Sequence, residues 1–369
     1  MIKVISVVGT RPNFIKIAPL INAFKDYCGI KHLVCHTGQH FDENMSGVFF
    51  KELGIPVPDF FLGISGGSHA IQTAGIMMEL EKVLFNEKPD LVIVPGDVNS
   101  TLASAIVASK LGIPLAHIES GLRSFDRSMP EEINRIVTDV LSDFLFVTEK
   151  SGINNLIREG IPSEKIFFVG NIMIDSLINY LPIIEKSTIL SHLVSDNEPY
   201  LLVTFHRPSN VDDPEKLTNL MEFLLELSCE IKVIFPVHPR TRKNITRIKN
   251  KNLFAVNNSR LLLIEPLGYL DFLALVKNAS AVITDSGGIQ EETTFLGVQC
   301  ITMRNNTERP VTVEVGTNRI TGTNIEEVKK SVYEVLNGNI KKGSIPELWD
   351  GRTAQRIVQI IAEKFNVKN

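Results

Sequence analysis

The feature that most constrains this chain is an alternation of short apolar runs with amphipathic segments, which occurs in two successive sets. The apolar runs predict buried strands, and the segments between them have the spacing of helices. This alternation predicts parallel sheets covered by helices on both faces, so the expected fold class is α/β. The predicted strands are residues 3–8, 33–37, 91–95, 114–118, 144–147 and 166–169 in the first set, and 200–204, 232–236, 261–265, 281–284 and 298–303 in the second.

An irregular stretch at residues 179–199 separates the two sets and predicts a domain boundary. We therefore expect two doubly wound domains, at residues 1–175 and 195–350, with a ligand cleft between the carboxyl ends of their strands. Residues 351–369 carry apolar side chains at helical spacing, which predicts a packed terminal helix.

The composition excludes several classes of protein. A hydrophobic content of 44% in 369 residues predicts a globular protein with an ample core, and no apolar run approaches the ~18 residues of a membrane span. The net charge of -4 implies no basic face, so nucleic acid is not an expected partner. The N-terminus lacks a signal-peptide layout and the four cysteines form no CxxC pair, so we expect reduced thiols and a cytoplasmic location.

The turn after the predicted strand at residues 281–284 has the composition of a nucleotide site. Ser286, Gly287 and Gly288 place few side-chain atoms where a helix is predicted to begin. The unpaired N–H groups and partial positive charge of a helix N-terminus favour phosphate. Glu292 lies within the first turns of that helix, where a carboxylate could hold a ribose diol.

Other polar clusters also follow directly on predicted strands, at the rim where open α/β sheets bind their ligands. This placement selects further candidate residues, namely Arg11 and Lys16 after the first strand, then Asp97, Glu119, His206, Arg207 and His238.

Structural roles stay open as alternatives for these residues. Asp97 could cap the helix that follows it, and Glu119 could simply pair with Arg123. Glu131 and its neighbour Glu132 follow a proline, so they could be first-turn acids that favour the helix dipole. His206 could be a core histidine and Arg11 and Lys16 solvated cations, but such a concentration of charged groups at one rim favours function.

Three familiar motifs are missing from the sequence. Without GxGxxG or GxxxxGK, neither a nicotinamide fingerprint nor a P-loop is expected. Without HExxH or paired His/Asp spacing, no catalytic metal is expected. The predicted chemistry therefore uses no cofactor and no metal.

Together the motifs resemble those of the non-hydrolysing UDP-N-acetylglucosamine 2-epimerases, in order from near Lys3 to near Thr323. The resemblance is carried by Gly9-Thr10-Arg11-Pro12, Ile15-Lys16, Ala18-Pro19-Leu20, Gly96-Asp97, His117-Ile118-Glu119, Gly121-Leu122-Arg123, Pro130 to Arg135, Gly170-Asn171, Thr204 to Arg207, Pro236-Val237-His238, Thr284 to Glu292 and Thr307-Glu308-Arg309-Pro310.

The resemblance implies a GT-B-like fold, in which the C-terminal domain binds UDP and the helix at 351–369 returns to the N-terminal domain. It also implies reversible conversion of UDP-N-acetylglucosamine into UDP-N-acetylmannosamine, usually by a homodimer.

The resemblance also implies roles for single residues. Asp97, Glu119, Glu131 and His206 match positions tied to catalysis. The UDP-sugar would be bound by Arg11, Lys16, Arg207, Ser286, Gly287, Gly288, Glu292 and Arg309. An allosteric site in some members matches Gln39, His40 and His238 together with Arg207, although Asp42 stands here where those members have glutamine.

Inversion at C2 of the sugar requires breaking a C–H bond that adjoins no carbonyl. Loss of UDP from C1 would first make the C2 proton acidic, and its removal would give a 2-acetamidoglucal. Return of a proton to the other face, and of UDP to C1, would complete the reaction. Two proton-transfer groups are needed for the two faces. The residues leave open which carboxylate is the base and whether His206 donates a proton or holds UDP.

Three rival functions use the same nucleotide pocket. A GT-B glycosyltransferase would need an acceptor groove and fewer carboxylates. A hydrolysing epimerase would release UDP and free N-acetylmannosamine. A catalytically silent UDP-sugar sensor would keep the phosphate turn but would not need Asp97, Glu119 and Glu131.

Overall fold

The computed structural model describes residues 1–39, 54–195, 198–248 and 260–367. It divides into two compact units, one made of Met1–Asn179 with Glu347–Asn369 and the other of Tyr180–Pro346. Each unit is built on one parallel sheet with helices between its strands, which confirms the predicted α/β class with two Rossmann-like domains.

The first unit contains a seven-stranded sheet in the order β3-β2-β1-β4-β5-β6-β7. Residues next to each other on β1 enter opposite layers of core: Val4 packs with Leu20, whereas Ile5 packs with Leu80. Because both faces are covered, the strands read as continuous apolar runs. The strands are β1 (Ile2–Val8), β2 (Ile30–His36), β3 (Phe60–Phe61), β4 (Leu91–Pro95), β5 (Leu115–Ser120), β6 (Phe144–Val147) and β7 (Ile166–Phe168).

Among the described residues, six α-helices begin before the boundary between the units, with a short 3-10 helix at Ser163–Lys165. They are α1 (Arg11–Phe24), α2 (His69–Glu87), α3 (Asn99–Lys110), α4 (Pro130–Leu141), α5 (Lys150–Arg158) and α6 (Ile172–Ile184).

The second unit contains a six-stranded sheet in the order β10-β9-β8-β11-β12-β13. Its strands are β8 (Tyr200–Thr204), β9 (Lys232–Pro236), β10 (Leu261–Ile264), β11 (Ala281–Thr284), β12 (Gln299–Thr302) and β13 (Asn318–Ile320). Its helices are α7 (Ile189–Leu193), α8 (Pro208–Val211), α9 (Pro214–Ser228), α10 (Pro239–Ile245), α11 (Tyr269–Asn278), α12 (Gly287–Leu296), α13 (Pro310–Glu314) and α14 (Ile325–Leu336).

The last helix, α15 (Thr353–Lys364), belongs to the first unit. Its buried side chains, among them Ile357 and Ile361, complete the core layer that contains Leu20 of α1. The carboxylate of Asp175 on α6 accepts a hydrogen bond of 2.7 Å from the Ala354 N–H and so caps the start of α15. Burial raises the pKa of the Asp175 carboxyl to about 6.

The two sheets share one order over six strands, and in both the order reverses next to the first strand of the sheet. The reversal lies between β1 and β4 in the first sheet and between β8 and β11 in the second. Ligands of open α/β sheets bind beyond the carboxyl ends of the strands at such a reversal. The loops that follow these four strands carry many of the predicted site residues.

The four cysteines are all free thiols, as their spacing predicted, and Cys35 and Cys300 are buried. Among the described residues, no helix has both the length and the apolar character needed to cross a membrane.

Candidate functional site

In the first unit, Asn13 joins the two loops at the strand reversal. Its side-chain oxygen accepts hydrogen bonds from the N–H groups of Gly9 and Thr10 at 3.1 and 3.2 Å. Its side-chain nitrogen donates to the carbonyl of Pro95, at the end of β4, at 3.1 Å. The loop after β1 is therefore fixed to the loop that carries Asp97, and Arg11 lies half-buried as the first residue of α1.

Glu119 occupies a strained position at the end of β5. Its φ is 69°, in the left-handed region, and the pairing of β5 with β6 is irregular at this residue. Its carboxylate lies 2.7 Å from the ammonium of Lys16, and both residues are buried. Backbone strain of this kind is retained where the surrounding structure enforces it, often at functional sites.

Gly96 and Arg123 explain how the ion pair of Lys16 with Glu119 is accommodated. A Cβ atom on Gly96 would lie 3.0 Å from the Lys16 ammonium nitrogen, so the bare backbone leaves room for it. Arg123, the alternative partner for Glu119, pairs instead with Asp139 at 2.7 Å and with Glu159 at 2.6 Å. The structure thus joins a predicted phosphate-binding lysine to a predicted catalytic carboxylate.

Arg135 holds the second predicted catalytic carboxylate. Its guanidinium donates to Asp97 at 2.5 Å and to Glu132 at 2.6 Å. Burial opposes ionisation of Glu132, but Arg135 and the hydrogen bonds from Ser124 outweigh it, and they hold the pKa of the Glu132 carboxyl below its usual value. Asp97 keeps about a quarter of its side chain exposed, at 28%.

The structure bears on the structural alternatives for Asp97, Glu131 and Glu132. The N-cap residue of helix α3 is Val98, which makes no side-chain hydrogen bond to the helix, so Asp97 is not its cap. Glu131 and Glu132 both lie in the first turn of α4, but Glu132 is buried whereas Glu131 is exposed.

A buried network beneath these loops was not predicted. His117 is fully buried, with Nε2 2.8 Å from the Gly96 carbonyl and Nδ1 2.6 Å from Asp139. Asp139 also accepts the Gly121 N–H at 3.0 Å. Burial opposes ionisation of Asp139, but the charges of His117 and Arg123 outweigh it and hold the pKa of the Asp139 carboxyl below its usual value. The network fixes the backbone beside both Asp97 and Glu119.

In the second unit, the predicted phosphate turn begins helix α12, with Ser286 as the residue that precedes it. A Cβ atom on Gly287 would lie 2.6 Å from a Glu308 carboxylate oxygen and 2.7 Å from a nitrogen of Arg309, so any side chain there would displace these two groups. A Cβ atom on Gly288 would meet nothing within 4 Å. The structure therefore places Arg309 directly beside the turn and leaves the Gly288 side open.

Arg309 is buried and lies in a chain of charges. Its Nε is 2.8 Å from Glu291, and its Nη1 is 2.5 Å from Glu308. Glu308 also binds Arg304 at 2.7 Å. These ion pairs hold the guanidinium of Arg309 in place beside Gly287.

Glu292, the predicted ribose ligand, is 4% exposed in the second turn of α12. Burial raises the pKa of its carboxyl to about 8, and the neighbouring charge of Glu291 adds to this rise. Burial and the charge of Glu292 in turn raise the pKa of Tyr269 well above its usual value. The Glu292 carboxyl can therefore be neutral near pH 7 in the absence of a ligand.

His206 lies after β8 and is bound by Asp285, which follows the adjacent strand β11. Its Nδ1 is 3.0 Å from a carboxylate oxygen of Asp285, and its side chain is 43% exposed. Asp285 is fully buried and also accepts the Arg207 N–H at 2.9 Å. The sequence placed Asp285 in the nucleotide turn but did not select it as a site residue.

The candidate allosteric residues have different surroundings. Gln39 accepts hydrogen bonds from the N–H and hydroxyl of Ser100 at 3.1 and 2.7 Å. His40 lies outside the described residues. His238 is exposed at the start of α10, with its ring centre 6.0 Å from that of His206.

Across the described ranges, no group of three or more histidine, cysteine, aspartate or glutamate side chains is arranged to hold a metal ion. Within each unit, several of these charged groups form ion pairs instead, such as Lys16 with Glu119 in the first and Arg309 with Glu291 in the second.

The chain matches known proteins over almost its entire length. The family model described as UDP-N-acetylglucosamine 2-epimerase matches residues 22–362. A UDP-N-acetylglucosamine 2-epimerase of Methanocaldococcus jannaschii is 47% identical over 364 residues, which cover 96% of this chain and 97% of the relative. A UDP-2,3-diacetamido-2,3-dideoxy-D-glucuronate 2-epimerase of Pseudomonas aeruginosa is 41% identical over 98% of this chain and 99% of the relative.

A solved structure agrees with these matches. The crystal structure of the Methanocaldococcus jannaschii UDP-GlcNAc 2-epimerase in complex with UDP-GlcNAc and UDP superposes with a TM-score of 0.89 at 46% identity, over 98% of this chain and 99% of the other. The predicted resemblance is confirmed, and this chain belongs to the UDP-N-acetylglucosamine 2-epimerase family.

Proposed function

We propose that the protein interconverts UDP-N-acetylglucosamine and UDP-N-acetylmannosamine by inverting C2 of the sugar. The observation that carries this proposal is the full-length match to a relative whose structure holds UDP-GlcNAc and UDP. Several predicted site residues support it, because Asp97, His206 and Ser286 follow strands that flank the reversals of the two sheets.

The reaction proceeds by loss and return of UDP. The C1–O bond breaks and UDP leaves with the electron pair, while a base takes the C2 proton to give a 2-acetamidoglucal. A proton is then added to the opposite face of C2, and UDP adds again at C1 to restore the bond. No net atom is gained or lost.

The second unit holds UDP in both its bonded and its departed state. The start of α12 at Ser286, Gly287 and Gly288 offers N–H groups and a positive helix end to the diphosphate. Arg309 adds a fixed cation beside Gly287, and Glu292 binds the ribose hydroxyls. Arg207 binds the UDP-sugar from the loop after β8.

The first unit acts on the sugar. Asp97, Glu119 and Glu131 supply the carboxylates that stabilise positive charge at C1 and exchange the C2 proton. Lys16 and Arg11 offset the negative charge that the departing diphosphate develops. The ion pairs of Lys16 with Glu119 and of Arg135 with Asp97 support this assignment, since they fix the direction of each carboxylate.

Incubation with UDP-N-acetylglucosamine in D2O, followed by proton NMR, tests the proposal. We expect UDP-N-acetylmannosamine to appear and deuterium to enter at C2 of both sugars. Absence of exchange would contradict the proposal. Release of UDP with free N-acetylmannosamine would identify a hydrolysing epimerase, and turnover only with an added acceptor would identify a glycosyltransferase. UDP-2,3-diacetamido-2,3-dideoxy-D-glucuronate is the comparison substrate, for which we expect a lower kcat/KM.

We propose that the protein forms a homodimer, in which a second copy of the chain covers one helical face of the first unit. Ile71, Met78 and Phe85 recur at every seventh position of α2 and are 68, 64 and 68% exposed. Ile133 and Val140 repeat this spacing on α4 and are 48 and 59% exposed. Helix α3, largely buried, packs against both α2 and α4, so the two stripes lie on the same side of the unit.

Analytical ultracentrifugation tests the proposed homodimer. The wild type should sediment as a dimer, and the double variant Met78→Glu with Phe85→Glu should sediment as a monomer. Ile157→Glu alters an exposed apolar residue on α5 and should leave the dimer intact. A monomeric wild type, or a dimer in the double variant, would contradict the proposed interface.

A further inference from the structure

Asp285 and His206 form a connection across the strand reversal of the second sheet. Their strands β8 and β11 are adjacent, with Thr204 opposite Thr284. Each strand ends there, so the two loops leave the sheet side by side. Nδ1 of His206 lies 3.0 Å from Oδ1 of Asp285.

All hydrogen-bond partners of Asp285 in this cluster are donors. The carboxylate accepts the N–H of His206 at 3.2 Å, the N–H of Arg207 at 2.9 Å and the side-chain amide of Asn210 at 3.0 Å. Burial opposes ionisation of Asp285, but His206, Arg207 and Asn210 outweigh it and hold the pKa of the Asp285 carboxyl below its usual value. Asp285 is therefore an anion that can only accept.

This arrangement determines which imidazole nitrogen carries hydrogen. A carboxylate accepts, so Nδ1 of His206 must donate to it, and in the neutral ring Nε2 then has a free lone pair. When the ring is protonated, the same carboxylate stabilises the imidazolium. Because 43% of the His206 side chain is exposed whereas Asp285 is fully buried, the ring is held from its protein side and is open on the other.

The same carboxylate connects His206 to the phosphate turn. Asp285 immediately precedes Ser286, the residue before helix α12. Its bonds to the backbone of residues 206 and 207 fix the loop that carries the imidazole relative to that turn. Asparagine could not replace it fully, because one of its two terminal atoms is itself a donor and would oppose an N–H group.

We propose that Asp285 is a positioning residue that fixes His206 in the Nδ1–H form and leaves Nε2 on the open side of the ring for the UDP-sugar. The inference about the ring stands on the contacts described above, and its consequence for turnover rests on the proposed function. His206 then acts through Nε2, which accepts a hydrogen bond or proton when the ring is neutral and donates one when it is charged.

Nitrogen-15 NMR of the histidine rings tests the ring assignment without any substrate. In the full-length protein with neutral histidine rings, we expect a protonated Nδ1 and an unprotonated Nε2 at His206. Asp285→Asn should move the proton of the neutral ring towards Nε2. Protonation of Nε2 in the wild type would overturn the proposal even if the variant failed to fold.

Kinetics separate positioning from simple stabilisation. Asp285→Asn should lower kcat by about 10²–10⁴-fold, with the dissociation constant of UDP within about threefold of the wild-type value. Thr241→Val is the matched control, because it removes a buried hydrogen bond of 2.8 Å to the Phe205 carbonyl beside His206 but does not touch the ring. It should destabilise the protein and leave both the ring form and the pH profile of kcat unchanged.

The remaining outcomes each decide one point. Wild-type kcat and an unchanged pH profile in Asp285→Asn would overturn the positioning role. If the wild type does not epimerise UDP-N-acetylglucosamine but the ring proton moves as expected in the variant, the proposed function fails and the assignment of the ring stands.

Discussion

The two units have the same strand order but use opposite charges at their strand reversals. In the first unit the predicted catalytic groups are carboxylates, and buried cations hold them: Lys16 binds Glu119 and Arg135 binds Asp97. In the second unit the exposed group is the imidazole of His206, and a buried carboxylate holds it. One sheet topology thus supports two kinds of site, and the buried partner determines which kind.

The comparison extends to acids that are wholly buried. Glu132 and Asp139 in the first unit have cationic partners, and the pKa of each carboxyl lies below its usual value despite burial. Glu292 in the second unit has no cationic partner among the described residues, and burial raises the pKa of its carboxyl to about 8. Burial alone therefore does not set the charge of a carboxyl group here, since its partners decide the sign of the shift.

The largest expected effect on stability comes from removing a buried cation of the first unit. Arg135→Met leaves the carboxylate of Glu132 buried without its ion pair and should lower the free energy of unfolding by about 3–5 kcal/mol, measured by urea denaturation. Arg240→Met breaks an exposed ion pair with Asp212 in the second unit and should cost less than about 1 kcal/mol. Equal losses would remove the distinction between buried and exposed partners.

Glu292→Gln should change how stability depends on pH. The folded pKa of about 8 exceeds the ordinary value of 4.5, so the folded state binds more protons between these limits. The wild type should therefore lose stability as pH rises from about 5 to 8, by up to about 4 kcal/mol relative to the glutamine variant, which cannot ionise. Urea midpoints at several pH values measure this difference.

A surface change provides the reference for that measurement. Glu222→Gln alters an exposed acid in the same unit and should follow the pH dependence of the wild type. Parallel pH curves for Glu292→Gln and the wild type would show that Glu292 is ionised in the folded protein.

Asp97→Asn tests whether the first unit carries the chemistry. It keeps the shape of the side chain but removes its charge, so turnover should fall about a hundredfold or more while UDP binding is retained. Asp90→Asn is the control at the opposite end of β4, where the Asp90 carboxylate accepts the Lys3 N–H at 2.7 Å. Isothermal titration with UDP and the NMR assay separate binding from turnover; near wild-type turnover in Asp97→Asn would remove Asp97 from the catalytic residues.

Two adjacent glycines give the smallest and most local comparison. Gly287→Ala forces its new methyl group against Glu308 and Arg309 and should lower stability by about 1–2 kcal/mol. The methyl group added by Gly288→Ala has no protein atom within 4 Å, so this change should leave thermal stability nearly unchanged. A weaker affinity for UDP in Gly288→Ala, without loss of stability, would show that the diphosphate lies against Gly288.

The sequence predicted the strands because they are buried on both faces and read as unbroken apolar runs. It missed β3 and β13, which are only two and three residues long and carry too little pattern to recognise. The rim residues were predictable for a related reason, since the end of each apolar run marks the carboxyl edge of a sheet.

The partners of the site residues were not predictable in the same way. Asp285 and His206 are 79 positions apart, and Lys16 and Glu119 are 103 positions apart, so no local pattern joins them. The left-handed backbone of Glu119 leaves no trace in its residue type, because only glycine signals such a conformation. His117 lies within an apolar run of the sequence. Its partner Gly96 is brought close only by the pairing of β4 with β5, which the sequence does not show.

The return of helix α15 to the first unit has a consequence for synthesis on the ribosome. The chain that forms the second unit is made before α15, while the core layer containing Leu20 still lacks Ile357 and Ile361. Until those residues emerge, apolar surface on one side of the first sheet is uncovered and Asp175 has no helix to cap. The core of the first unit therefore cannot be completed until the C-terminal helix has been synthesised, although most of that unit is made first.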